Sequence, residues 1–195
     1  MANIIQKKRL ANEVKLLEKE PLHYITAYPD KNNELIWYFM IKGQKDTIYE
    51  NGEYIGKIEH SPKYPAEPPA YTMLTPSGRY EINKKICLTN SNFHRGDWNP
   101  LWNIKTILIG FYSIFLADDT TGIAHIHDSN EKRLEYAIKS IDYNKKFLND
   151  IDSNFDKTKL FNDIPKINYN EEIINILTNI YNLDNDLQSK INKLL

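Results

Sequence analysis

"ELIWYFMIKGQKDTIYENGEYIGKIEH", residues 34–60, holds two runs dense in β-branched and aromatic residues, 34–42 and 52–60, with a polar stretch between them. Asn51-Gly52 is a turn signal ahead of the second run. Outward on the N-terminal side, "LHYITAY" (22–28) is separated from the first run by Pro29-Asp30. On the C-terminal side, "AYTMLT" (70–75) follows a proline cluster at 65–69. Four strand-like pieces joined by short connections predict an antiparallel meander.

Helical patterns flank the meander. Leu10, Val14 and Leu17 fall at i, i+4 and i+7, leaving Lys7, Lys8, Arg9 and Lys15 for other faces, and Pro21 ends the run. Residues 75–102 lack periodicity, and a loop of that length is more often functional than idle. Ile104, Ile107, Leu108, Phe111 and Phe115 then mark an amphipathic helix with Asn103 as its cap. A further helix is expected from Asp128, with Glu131 in a capping box and Leu134, Ala137, Ile138 and Ile141 as its buried face. Beyond about residue 145 the composition shifts to Asn, Asp, Lys and Ile. Ile173, Ile176, Ile180, Leu183, Leu187 and Leu194 form a heptad-like seam that Lys190 interrupts. A helix packed back on its own domain is a simpler reading of that seam than a coiled coil with a partner. The order of elements predicts an α+β domain over 1–147, with a helical C-terminal extension over 148–195.

A chain of 195 residues can bury a sizeable core, and 41% apolar with 26% charged residues is ordinary for a globular protein. A net charge of −1 gives no electrostatic case for nucleic acid as the main partner. One cysteine excludes an intramolecular disulfide and a zinc site built on several thiolates, so a reducing, cytoplasmic setting is the simplest expectation. The N-terminus is charged throughout, unlike a secretory signal, and no apolar run is long enough to cross a bilayer. The richness in Asn, Ile, Lys and Tyr suits an AT-rich genome, either a eukaryote's or a large DNA virus's.

The single cysteine, Cys87, lies in "KKICLTNSNFHRGDWNPLW" (84–102). Flanked by Ile86 and Leu88, it reads either as a small buried hydrophobe or as a nucleophile. Taken alone, such a cysteine is more often inert packing, and its place in a long loop among His, Asp and Trp strengthens the second reading without deciding between them.

The order "YPAEPP" (64–69), "MLTPSGRY" (73–80), "ICL" (86–88) and "WNPLWNIKTIL" (98–108) resembles the core of a ubiquitin-conjugating enzyme over about residues 5–145. "TPSGRY", "ICL" and "FHRGDWNPLW" together look most like the endoplasmic-reticulum-associated branch, which lacks the His-Pro-Asn tripeptide upstream of the cysteine. The resemblance implies the ubiquitin-conjugating-enzyme fold, with an N-terminal helix, four-stranded antiparallel meander, active-site loop and C-terminal helices. It also implies an acyltransferase in which Cys87 takes ubiquitin as a thioester from the activating enzyme. Cys87 then passes it to lysine, or in this branch also to hydroxyl acceptors, beside a RING-type ligase. No metal or diffusible cofactor is implied, since ATP is consumed by the activating enzyme. A thiol suits the task because a thiolate is strongly nucleophilic and its thioester stays reactive toward amines.

With the tripeptide missing, the oxyanion needs another donor, and such a group can be worth about 2.7–4 kcal/mol. Asn83 is the nearest upstream amide, although it could merely brace the loop. His94 could donate or accept a proton, or sit idle in a turn. Asp97, Asp118 and Asp119 could orient an acceptor amine, although acidic loops are usually just solvated. Arg95-Gly96 stands where the branch usually places a proline, and Ser77 replaces an Asn.

By resemblance, the activating enzyme and ligase meet Lys7, Lys8, Arg9, Lys15, Pro65, Ala66, Trp98 and Pro100. Ala66 departs from the aromatic residue common there, which predicts weak binding to typical RING domains or the use of a specialised ligase. Thr26 occupies the strand where family members often bind a second ubiquitin, although an ordinary exposed Thr is the plainer reading. The branch is typically tail-anchored, whereas this sequence ends in "SKINKLL". Two rival readings remain: a non-catalytic ubiquitin-binding variant of the fold, and a hydrolase pairing Cys87 with His94, His125 or His127.

Overall fold

A computed structural model describes residues 4–87, 98–117 and 121–150, with side chains to residue 145. Helix α1 spans Ile4–Lys19, followed by strands β1 (Ile25–Pro29), β2 (Ile36–Lys42), β3 (Glu53–Glu59) and β4 (Ala70–Met73). Helices α2 (Ile104–Leu116) and α3 (Asn130–Asp150) complete the described order. The expected α+β arrangement is what the chain adopts. The sheet runs β1-β2-β3-β4, every pair antiparallel, as short connections require. Much of the extension expected over 148–195, including its whole heptad-like seam, lies outside the described residues.

Alternation along the strands builds the core. Trp37, Phe39 and Ile41 of β2, Tyr54 and Ile58 of β3, and Tyr71 and Met73 of β4 join one buried cluster. Helix α2 closes it with Ile104, Ile107, Leu108, Phe111 and Phe115. The Phe111 ring meets Phe39 edge-on at 5.2 Å and stacks on Tyr71 at 5.7 Å. Each such side chain contributes about 1.5–3 kcal/mol by leaving water. Gly56 pairs with Phe39 across the sheet, and a Cβ there would lie 2.2 Å from the Phe39 ring, so the aromatic ring fits only over a glycine. Asn103 caps α2 as expected, its Oδ1 accepting from Thr106 N–H at 3.0 Å.

Helix α3 differs from its sequence reading. It starts at Asn130, with Ser129 Oγ accepting from Lys132 N–H, rather than at Asp128. Its buried positions are Arg133, Ala137, Ser140 and Asn144; Ile138 is exposed, and Leu134 and Ile141 are only half-buried. The cause is the surface it covers. Glu53, at the start of β3, has no β4 partner for its main chain. Instead, Glu53 N–H donates to Ser140 Oγ (2.9 Å), and its carbonyl accepts from Asn144 Nδ2 (2.8 Å). Thr75 Oγ1 donates to Asn144 Oδ1 (2.6 Å) and accepts from Ile55 N–H (2.9 Å). An apolar helix face there would leave these buried groups unsatisfied.

Candidate active site

The segment after β4 turns back along the sheet toward α3. Gly78 makes the turn with φ +71, a conformation glycine adopts freely, and a Cβ there would come 2.7 Å from Arg133 Cγ. Ser77, in place of the Asn expected from the resemblance, still supports it, its Oγ accepting from Arg79 N–H at 3.3 Å. Arg79 is fully buried, donates to the Ile114 carbonyl (3.3 Å) and lies 5.7 Å over the Tyr80 ring.

From Tyr80 the chain is pinned on two sides. Toward the sheet, Asn83 N–H donates to Met73 O (2.8 Å) and Ile86 N–H to Tyr71 O (2.9 Å). Toward the segment 122–126, Glu81 N–H donates to Ala124 O (2.8 Å), Ile126 N–H to Arg79 O (3.0 Å) and Cys87 N–H to Ile123 O (3.1 Å). The alternation at the end of this run separates two neighbours: Ile86 is fully buried, while Cys87 is partly exposed. The thiol is therefore not sealed in the core.

The sequence candidates around it scatter. Asn83 is exposed and held in the left-handed region, φ +60. His94, Asp97, Asp118 and Asp119, with Arg95-Gly96, lie outside the described residues. His125 does reach the cysteine: its Nε2 is 3.1 Å from the Cys87 carbonyl oxygen. Sequence reasoning placed this histidine only in a rival hydrolase, because no periodic signal marks an irregular segment as a neighbour of Cys87.

The expected partner surface divides into exposed and structural members. Lys8, Lys15, Ala66 and Pro100 are exposed, Pro65 is half-buried, and Lys7 pairs with Glu34 at 3.4 Å. Arg9 is instead tied inward, its Nε donating to Glu13 and its Nη2 to the Trp102 carbonyl (2.7 Å). Burial is the largest single influence and opposes the charge on Arg9, but the hydrogen bond and charge attraction of Glu13, together with Tyr64, outweigh it and the pKa is raised. Trp98 is buried, and its indole N–H donates to the Pro65 carbonyl at 2.7 Å. Thr26 is half-buried with its Oγ1 shielded from water, not an ordinary exposed strand residue.

Glu13, 3% exposed, organises this region. Its Oε1 accepts from Tyr64 OH (2.7 Å) as well as Arg9, and its Oε2 from Ile104 N–H (3.2 Å), the first residue of α2. A carboxylate at a helix N-terminus satisfies an orphan donor and opposes the helix dipole. One side chain of α1 thus locks the proline-rich loop and the start of α2 in register.

Among the described residues, no cluster of three or more His, Cys, Asp or Glu could hold a metal, and no helix is long and apolar enough to cross a membrane.

A four-stranded meander backed by α2, with a partly exposed cysteine on the return from β4, defines a ubiquitin-conjugating-type domain. The family model described as Ubiquitin-conjugating enzyme matches residues 9–140, and the chain belongs to that family. It is 39% identical over 137 residues to Ubiquitin-conjugating enzyme E2 6 of Eremothecium gossypii, covering 70% of this chain and 56% of that protein. Ubiquitin-conjugating enzyme E2 6 of Schizosaccharomyces pombe is 44% identical over 131 residues, covering 67% and 57%. Ubiquitin-conjugating enzyme E2 J2-like of Dictyostelium discoideum is 38% identical over 138 residues, covering 71% and 81%. The matched region spans little more than half the length of the first two relatives.

Proposed function

We propose that this protein is an active ubiquitin-conjugating enzyme with Cys87 as its nucleophile. The carrying observation is that its one cysteine is partly exposed while its main chain is fixed from the 122–126 segment, in a chain of this family. The Cys87 thiolate attacks the carbonyl carbon of the ubiquitin thioester on the activating enzyme. The new C–S bond forms as the activating enzyme's thiolate leaves. An acceptor lysine amine then attacks the same carbon, the bond to Cys87 breaks, and the nitrogen gives up a proton. A serine or threonine hydroxyl can follow the same course. His94 is the candidate for that proton and Asn83 for steadying the oxyanion, with Asp97, Asp118 and Asp119 candidates for orienting the acceptor.

Thioester exchange and attack by an amine need no metal or diffusible cofactor, so the reading includes none in this protein. The activating enzyme and a RING-type ligase dock over Lys7, Lys8, Lys15, Pro65, Ala66 and Pro100, with Arg9 and Trp98 shaping that surface from beneath. The substrates are proteins, met in the cytoplasm.

Incubation with ubiquitin, activating enzyme and ATP should give an adduct on gels that reductant removes and that Cys87→Ala abolishes. No reductant-sensitive adduct with the unaltered chain would refute the proposal in favour of a ubiquitin-binding variant. Cleavage of a ubiquitin fusion without ATP would refute it in favour of a hydrolase.

A further inference from the structure

We propose that His125 is a positioning residue for the reacting thiol, holding the Cys87 main chain by a hydrogen bond to its carbonyl. The inference rests on Cys87 carrying the thioester, and it concerns a residue outside the oxyanion and acid–base candidates.

Both main-chain polar groups of Cys87 are engaged by one short segment. Its N–H donates to Ile123 O at 3.1 Å, and its carbonyl oxygen lies 3.1 Å from His125 Nε2. A carbonyl oxygen can only accept, so His125 Nε2 carries the proton, which defines the tautomer of the neutral ring. Gly122 lies against both partners, its Cβ position 3.4 Å from the Cys87 oxygen and 3.3 Å from His125 Cδ2. A side chain there would press on the ring that makes the bond.

His125 is itself anchored in the core. Its ring meets Tyr80 edge-on at 4.9 Å, and the two residues form a β-bridge. Tyr80 is buried, stacks on Phe111 at 5.7 Å and lies 6.3 Å from the Phe115 ring. On either side, Glu81 N–H to Ala124 O and Ile126 N–H to Arg79 O fix the segment. Packed contacts therefore run from α2 through Tyr80 and His125 to the carbonyl of the nucleophile. Bonds at both its N–H and its carbonyl hold the Cys87 Cα, and with it the Cα–Cβ bond from which Sγ projects. Displacing a reacting atom by 1 Å can cost about a hundredfold in rate, so partial loosening should cost about tenfold.

Two variants of the full chain separate the hydrogen bond from the packing. His125→Phe keeps a ring against Tyr80 but has no donor; His125→Gln keeps an N–H able to reach the carbonyl. Single-turnover charging from the activating enzyme, and discharge to free lysine, are followed alongside thermal melting. The expected result is a maximal charging rate about tenfold lower in His125→Phe, with the half-saturating concentration of activating enzyme unchanged. His125→Gln should recover to within about threefold of the unaltered chain. Equal loss in both variants, or His125→Phe charging within twofold of the unaltered chain, overturns the proposal. Nitrogen-15 spectra of the uncharged protein read the tautomer without any partner: an Nε2–H ring supports the bond, and an Nδ1–H ring overturns it. If the unaltered chain never charges, the proposed function fails, and the tautomer still decides whether His125 holds Cys87.

Discussion

Glu13→Ala tests whether a buried carboxylate ties together the face proposed for the activating enzyme and ligase. The side chain serves three donors: Tyr64 OH, Ile104 N–H and Arg9 Nε. Removing it leaves the buried Tyr64 hydroxyl unpaired, a cost of about 1–3 kcal/mol. Loss of the acceptor at the start of α2 adds about 1 kcal/mol, the usual worth of an N-terminal cap. Arg9 loses less, because it is partly exposed and keeps its bond to the Trp102 carbonyl. The two larger losses total about 2–4 kcal/mol. For a domain of this size that lowers the melting temperature by roughly 10 °C. Urea unfolding of the full chain gives the loss directly, and a cycle with Tyr64→Phe isolates the pair, where a coupling of about 1–2 kcal/mol is expected. A loss under 1 kcal/mol, or strict additivity with Tyr64→Phe, would refute the reasoning.

Two further outcomes follow from the same face. His60 is buried against Trp37 and Tyr64, and burial lowers its pKa from 6.5 to about 4, although a hydrogen bond to the Leu35 carbonyl raises it. The unfolded chain therefore takes up this proton first as pH falls below about 6.5. Stability from His60 should decline by roughly 3 kcal/mol down to pH 4, and His60→Phe should remove that slope in urea titrations at successive pH values. Ala66 is exposed beside Pro65 and supplies no anchor, so Ala66→Phe should tighten binding to a generic RING domain by about tenfold or more in calorimetric titration. An unchanged affinity there would count against Ala66 lying at the ligase contact.

How much could be read in advance followed from what each element packs against. The meander was legible because β2 and β3 put large apolar and aromatic residues against one core, and Asn51 takes the positive φ that its turn needs. Helix α2 was legible because five apolar residues and a capping Asn agree. Helix α3 was legible as a helix but not in orientation, because Ser140 and Asn144 are buried to satisfy strand polar groups that hydrophobic spacing cannot see. The same limit hid Glu13. Gln6, Leu10 and Glu13 share the buried stripe of α1, yet a charged residue is buried only when its partners are near, and those are far along the chain. Arg9 read as part of a basic face for the same reason.

The partly exposed cysteine and the proposed partner surface are both supported by contacts that start in the core. On one side, Glu13 ties α1 to Tyr64 and the start of α2, while Trp98 bonds the proline-rich loop. On the other, Tyr80 and His125 carry α2's aromatic packing to the Cys87 carbonyl. Helix α2 is common to both, since its first N–H meets Glu13 and its Phe111 stacks on Tyr80. A thioester that must survive between charging and discharge needs a sulfur open enough to be reached yet held in a fixed direction. Burying Ile86 while leaving Cys87 partly exposed provides the opening, and bonding its N–H and carbonyl to 122–126 provides the direction. Because partner docking and thiol placement lean on different turns of one helix, damage at Glu13 should weaken partner binding first, and damage at His125 should slow the chemistry first.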